Sequence, residues 1–277
     1  MDHDLLIALC GLVVGFALGL TGGGGSIFAV PLLIYALGVD VRTAVGVSLA
    51  AVGATSAFGV LTHLRSGTID YRIGLIFAVS GMLTTPVGTW IGGRLPPSAV
   101  LLGFALLMLF VGVRMWRQPD SEDEELATTG PRKSGFGGRE FVRLVGIGFL
   151  VGLITGIFGV GGGFIIVPAL VLFGGVAIHR AVGTSLLVIA LICASGVSSY
   201  LVAGDGLPAG LTLVFVAGGC LGMIGGGLLR TRLSGTAMRR TFAVAMAALA
   251  LFVIGETLWE KRSSIEHPAS PSPSETN

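Results

Sequence analysis

Charge is distributed along this chain in a way that few folds accept. Lys, Arg, Asp and Glu fall in clusters, leaving eight long stretches with no formal charge: 5–39, 43–64, 73–93, 95–113, 144–178, 181–204, 206–229 and 241–255. About 20 apolar residues cross a hydrocarbon core ~30 Å thick, so the pattern predicts a polytopic, all-α membrane protein. Only 12% of the residues are charged, where a soluble domain carries ~25%. A water-soluble fold is therefore excluded. No stretch alternates apolar and polar residues as the strands of a membrane barrel must. The net charge of +2 has no basic stripe behind it, which argues against a nucleic-acid partner.

The opening residues, Met1, Asp2, His3 and Asp4, lack the positive start of a secretory signal, so the first segment is expected to be retained. Cys10, Cys193 and Cys220 all lie in apolar stretches without metal-ligand spacing and read as small packing residues.

Glycine is the second anomaly, with 46 residues, and its placement exposes an internal repeat. At an offset of 137, Gly15, Gly19, Gly22, Gly24, Gly25, Val30 and Pro31 fall on Gly152, Gly156, Gly159, Gly161, Gly162, Val167 and Pro168. In the same register Ala44, Val45, Gly46, Ser48 and Leu49 fall on Ala181, Val182, Gly183, Ser185 and Leu186, and Gly59 and Gly67 on Gly196 and Gly204. Ordered Gly, Pro and Ser identities in one ungapped register mark a duplicated membrane unit. The predicted organisation is a first membrane repeat at 5–116, a flexible cytoplasmic linker at 117–140, a second repeat at 141–259 and a disordered tail at 260–277. Linker and tail are too polar and too rich in Gly, Pro and Ser to bury a core. The two repeats are expected to form one transport domain.

The stretches 5–39 and 144–178 are each 35 residues long, or ~52 Å as continuous helix at ~1.5 Å per residue. Each carries a glycine cluster near its middle and is expected to break there, glycine being a poor helix former. If each stretch enters the bilayer and returns, the halves become inverted, and Arg42, Arg94, Lys261 and Arg262 are the basic residues left outside. The positive-inside rule prefers this to a simple crossing. The expected architecture is thus two inverted repeats, each a glycine-broken re-entrant helical hairpin plus three transmembrane helices.

Inverted repeats with broken helices point to a secondary transporter whose site lies where the breaks meet. Two helix amino ends facing one another expose unpaired N–H groups and together supply roughly one positive charge, which suits an anion. The candidate substrate-binding residues are Gly22, Gly23, Gly24, Gly25, Ser26 and Ser48 in the first half, and Gly159, Gly161, Gly162, Gly163, Thr184 and Ser185 in the second. Ser26 is a favoured N-cap type. Ser48 and Ser185 either donate to a substrate or bond back to their own helix. Pro31 and Pro168 are expected to kink the second arms. The GxxxG pairs Gly15/Gly19 and Gly152/Gly156 read as close-packing faces, and Ser56, Ser195, Ser198 and Ser199 as helix-packing polar groups. His63 and Arg65 are read as interfacial, and Trp90, Trp116 and Trp259 as interfacial anchors.

No Asp, Glu, Lys or Arg lies inside an apolar stretch, so neither a catalytic residue nor a metal site is expected, and no cofactor. Thr21 to Ser26 lacks the lysine of a phosphate-binding loop. An enzyme is not expected.

The paired glycine blocks ending in Pro31 and Pro168, each followed by Ala-Val-Gly-[Val/Thr]-Ser, resemble the sulfite exporter TauE/SafE family from about residue 5 to residue 255. The resemblance implies a multi-pass permease of the bacterial inner membrane for small sulfur-containing anions such as sulfite, thiosulfate or organosulfonates. Gly23 and Ser26 stand where the second block has Val160 and Gly163, so the two halves are not equivalent in detail. The reading is a transporter, in the exporting direction, working by alternating access. An anion channel and a non-transporting scaffold subunit stay open as alternatives. The partners expected are the small anion and the lipid bilayer, with a homo-oligomer open.

Overall fold

The computed structural model describes residues 3–63, 69–117, 138–159, 163–172, 178–230, 244 and 246–256. Trp259, Arg65, Gly161, Gly162, most of the linker and the whole tail lie outside the described residues. Every regular element described is helical: α1 (His3–Thr21), α2 (Gly24–Ala36), α3 (Val41–His63), α4 (Tyr71–Gly92), α5 (Pro97–Trp116), α6 (Gly138–Phe158), α7 (Gly163–Leu172), α8 (Ile178–Val202), α9 (Ala209–Arg230) and α10 (Met246–Glu256). Six of them, α1, α3, α4, α6, α8 and α9, are long and apolar enough to cross a membrane.

Local chemistry sets the helix ends. Asp70 caps α4 by accepting the Ile73 N–H at 3.2 Å, and the Asp40 carboxylate accepts the Thr43 N–H at 3.0 Å at the start of α3. Pro97 opens α5, where its missing N–H costs nothing. Within α2, tight 3₁₀ turns at Gly24–Phe28 give way to one α-helical turn at Ala29–Pro31 and a wide π-type turn at Leu32–Ala36. Pro31 donates no N–H, so a regular ladder cannot run through it.

One boundary differs from that expected. α6 begins at Gly138, inside the stretch read as linker, because a helix can extend a polar turn beyond its apolar part. The long first stretch does break at its glycine cluster, into α1, which at 19 residues is span-length by itself, and the shorter α2.

Glycine faces assemble the bundle. A Cβ on Gly11, Gly15 or Gly19 of α1 would overlap the backbone of Phe215, Gly219 or Met223 of α9; Gly218, Gly222 and Gly226 press on Ala8, Leu12 and Phe16 in return. Position rises together on both helices, so α1 and α9 are parallel. The same holds for α4 and α6, where Gly148 meets Ser80, Gly152 meets Gly81, Gly156 meets Thr85 and Gly92 meets Ile157. Such backbone approach is what associates helices in lipid, where no hydrophobic force draws them together. The contacts of Gly46 with Tyr200, Gly53 with Cys193 and Gly59 with Leu186 run the other way, making α3 and α8 antiparallel.

These contacts fix the course of the chain. Arg42, at the start of α3, pairs with Asp205, just beyond α8, at 2.8 Å. α9 departs from that same end, and so does its parallel neighbour α1. Since α1 and α3 both run away from this end, residues 22–40 must bring the chain back. α4 finishes there too, with Gly93 beside Arg42, and so does its parallel neighbour α6. α8 begins at the opposite end, so the chain has returned there between the end of α6 and the start of α8.

The core between the halves is apolar, with Val47, Leu49, Phe77, Val188, Ile189 and Ile192 all buried. Leu75, Val79, Leu83 and Val87 of α4 and Leu213, Leu221 and Leu228 of α9 are exposed, a lipid-facing belt. Exposed Trp90 carries the Arg94 guanidinium 3.6 Å from its ring centroid, a cation–π pair at the helix end where an interfacial anchor belongs.

Candidate functional site

Both helix breaks are built on one device. Gly22 (φ 74°) and Gly159 (φ 68°) adopt the left-handed conformation, and their N–H groups donate to Leu18 O at 2.7 Å and Thr155 O at 2.8 Å. Each is the left-handed cap that ends a helix. A valine from the other half packs over each: Val182 sits where a Gly22 Cβ would be, and Val45 where a Gly159 Cβ would be. Val45 and Val182 belong to the repeated Ala-Val-Gly motif, and this pairing gives that motif a structural purpose.

Beyond the caps the backbones meet. A Cβ on Gly23 would lie 2.5 Å from the Gly163 carbonyl oxygen, and one on Gly163 would overlap that of Gly23. Gly163 opens α7 and Gly24 opens α2, so the amino ends of the two arms are brought together. Gly25 presses on Ala17 and Leu18, which folds α2 back against α1. The glycines thereby permit two close approaches that any side chain would block.

Hydroxyl groups surround the breaks, each with a distinct assignment. Ser26 does not cap α2: the helical turns start at Gly24, two residues earlier, and its Oγ donates to Gly23 O at 2.8 Å. The Ser185 hydroxyl donates across the halves to Gly22 O and lies 2.7 Å from Val182 O. Thr184 Oγ1 accepts the Asp70 N–H at 2.9 Å, tying α8 to the start of α4. Ser48, by contrast, is fully buried and its Oγ makes no hydrogen bond; the same is true of Ser56 and of Thr155. Ser195 bridges helices, donating to Met82 O at 2.9 Å. Pro31 lies in α2 and Pro168 within α7. Thr155 was not singled out from sequence, where a threonine one turn before the Gly159 cap looks like any small polar residue of a membrane helix.

Among the described residues, the buried polar side chains are all Ser or Thr, and no three His, Cys, Asp or Glu side chains converge. The described groups at the breaks are therefore amide N–H groups and hydroxyls, donors of the kind an acceptor-rich anion can take. Charge gathers at one end of the bundle, where Asp40 precedes Arg42 of the Arg42–Asp205 pair. Burial raises the Asp40 carboxyl, but hydrogen bonds from Thr43 and from the Arg42 backbone outweigh it and carry the group below its ordinary value.

A family model described as Sulfite exporter TauE/SafE matches residues 7–253. A probable membrane transporter protein of Xylella fastidiosa is 35% identical over 251 residues, covering 88% of this chain and 92% of that protein. The probable membrane transporter protein YdhB of Bacillus subtilis is 30% identical over 72% of this chain and 80% of its own length. A probable membrane transporter protein of Haemophilus influenzae is 31% identical over 74% and 76%. No solved structure matches.

Proposed function

The chain belongs to the sulfite exporter TauE/SafE family of multi-pass membrane transporters, and from that premise we propose that it moves small sulfur-containing anions, such as sulfite, thiosulfate or organosulfonates, across the bacterial inner membrane. In this reading the anion binds where the amino ends of α2 and α7 meet, held by backbone N–H groups instead of a buried Lys or Arg. The observation that carries it is the contact of Gly23 with Gly163, which joins two positive helix ends in a region without buried charge. The antiparallel packing of α3 on α8 supports treating the halves as inverted repeats that alternate access around the breaks. Export is the direction proposed.

The test is a thermal-shift screen of the purified protein against sulfite, thiosulfate, sulfoacetate, sulfate and a carboxylate analogue, followed by flux of the stabilising anions into liposomes. Saturable flux with counterflow is expected. Gly23→Val should insert in the membrane but show no anion-dependent shift. Absence of any shift in the wild type, or flux that neither saturates nor shows counterflow, would overturn the proposal.

A further inference from the structure

We propose that α4 is the bending helix of this molecule, hinged at Pro86 and held by the Ser195 hydroxyl of α8, while its repeat counterpart α9 is a rigid strut. The bending serves the transport reading above, on which its role in transport rests, and goes beyond it by assigning the motion to one half.

Pro86 lies inside α4 and has no N–H, so it cannot donate to the Met82 carbonyl one turn earlier. Met82 stands near the centre of this 22-residue helix, at a depth where water is absent and a freed backbone group must find its partner within the protein. Ser195 supplies it, donating to Met82 O at 2.9 Å across the α4–α8 contact. A serine inside a helix ordinarily bonds back to its own backbone, as Ser198 does with Ala194 O at 2.8 Å. Ser195 is turned to α4 instead. The preceding carbonyl, Gly81 O, accepts the hydroxyl of the buried Thr85 at 2.8 Å, a back-bond of the kind that bends helices. Two successive carbonyls of α4 are thus served by hydroxyls, one from α4 and one from α8.

The repeat provides the comparison. Gly152 of α6 lies against Gly81 of α4 as Gly15 of α1 lies against Gly219 of α9, and Gly156 lies against Thr85 as Gly19 lies against Met223. Superposing the two helix pairs in this way sets Thr85 on Met223 and Pro86 on Ile224. In the register of the repeat, Ser195 falls on Phe58. Ile224 keeps its N–H, and neither Met223 nor Phe58 carries a hydroxyl, so none of the three devices found in α4 recurs in α9.

The position of the hinge gives it a lever. Beyond Pro86, Gly88 and Gly92 press on Leu153, Gly156 and Ile157, the last turns of α6, and Gly159 caps that helix. Bending of α4 therefore carries the end of α6 and its cap. The end of α1 is backed instead by unhinged α9, whose Gly226 presses on Phe16 and Leu20.

Amide hydrogen exchange of the purified full chain tests this by comparing residues 87–92 of α4 with the matching 225–230 of α9. In the wild type the α4 segment should exchange faster. Ser195→Ala should speed it further by about ten-fold or more, the effect of leaving a buried carbonyl unpaired, and should leave the α9 segment unchanged. Pro86→Ala should slow it, because an N–H then returns to Met82 O, and in that background Ser195→Ala should have no effect. Ser198→Ala, which removes a bond within α8, should change neither segment. In liposomes Pro86→Ala should lose most of the saturable anion flux while the anion still stabilises it. Equal exchange of the two segments in the wild type, an α4 segment indifferent to Ser195→Ala, or the same response to Ser195→Ala with and without Pro86 overturns the hinge. Full flux in Pro86→Ala overturns its part in transport. A wild type that carries no anion overturns the transport reading, and the exchange experiment then still decides the hinge.

Discussion

At Gly22 and Gly159 two requirements coincide: a left-handed backbone and a valine packed where a Cβ would sit. Each has its own magnitude. An L side chain in the left-handed region costs about 1–2 kcal/mol, and forcing a methyl group into occupied space costs about 1–3 kcal/mol. Gly204 separates the two terms, since it is also left-handed (φ 83°) but has nothing within 4 Å of a built Cβ. Gly22→Ala and Gly159→Ala should therefore lose about 2–5 kcal/mol and Gly204→Ala only about 1–2 kcal/mol, measured by denaturant unfolding in detergent. Equal losses at all three positions would mean that the valines do not press on the caps. The sequence pointed to these glycines because they recur in one register, but it could not distinguish Ser48 from Ser185. Both follow the same Ala-Val-Gly lead, and the difference arises from what the opposite half presents to each hydroxyl.

The same neighbour-dependence governs the helices. Charge-free stretches delimit α3, α4, α8 and α9 to within a few residues, because the bilayer penalises charge and the clusters mark where each helix leaves it. Partner choice was not legible in this way. Gly11, Gly15 and Gly19 announce a close-packing face, but so do Gly218, Gly222 and Gly226, and Gly148, Gly152 and Gly156; composition does not say that α1 selects α9 and α6 selects α4. Within α9, Gly226 and Gly227 are adjacent and differ only in facing. A Cβ on Gly226 would overlap the Phe16 carbonyl, while one on Gly227 meets nothing within 4 Å. Alanine gains about 1 kcal/mol over glycine in a helix interior, so Gly227→Ala should be neutral or stabilising. Gly226→Ala should lose about 1–2 kcal/mol net, because a backbone oxygen cannot move aside as a side chain can. Thermal unfolding of the pair checks this, and a stabilising Gly226→Ala would refute the α1–α9 interface.

For the molecule as a whole, the helix contacts sort the helix ends into two sets, and the charges divide along the same line. Contacts alone put the starts of α1, α3 and α9 and the ends of α4, α6 and α8 at one end, joined by the Arg42–Asp205 pair. That end carries Asp4, Asp40 and Asp205 beside Arg42 and Arg94, whereas the opposite end carries Arg72, Arg143, Arg180 and Arg230. By the positive-inside rule the arginine-rich end is predicted to be the cytoplasmic one. Neither half could keep this arrangement by itself, since the glycine face of α1 is covered by α9 and that of α6 by α4, and α3 packs antiparallel on α8. In a background lacking Cys10, Cys193 and Cys220, single cysteines replacing Asp4, Arg94 or Gly206 should react with an impermeant maleimide from outside intact cells. Those replacing Gly138 or Arg230 should react only after permeabilisation. Positions 4 and 230 are decisive, because they lie at opposite ends of the parallel pair α1 and α9: labelling both from the same side would require α1 to run against α9, and the contacts between Gly15 and Gly219 and between Gly19 and Met223 would then be impossible.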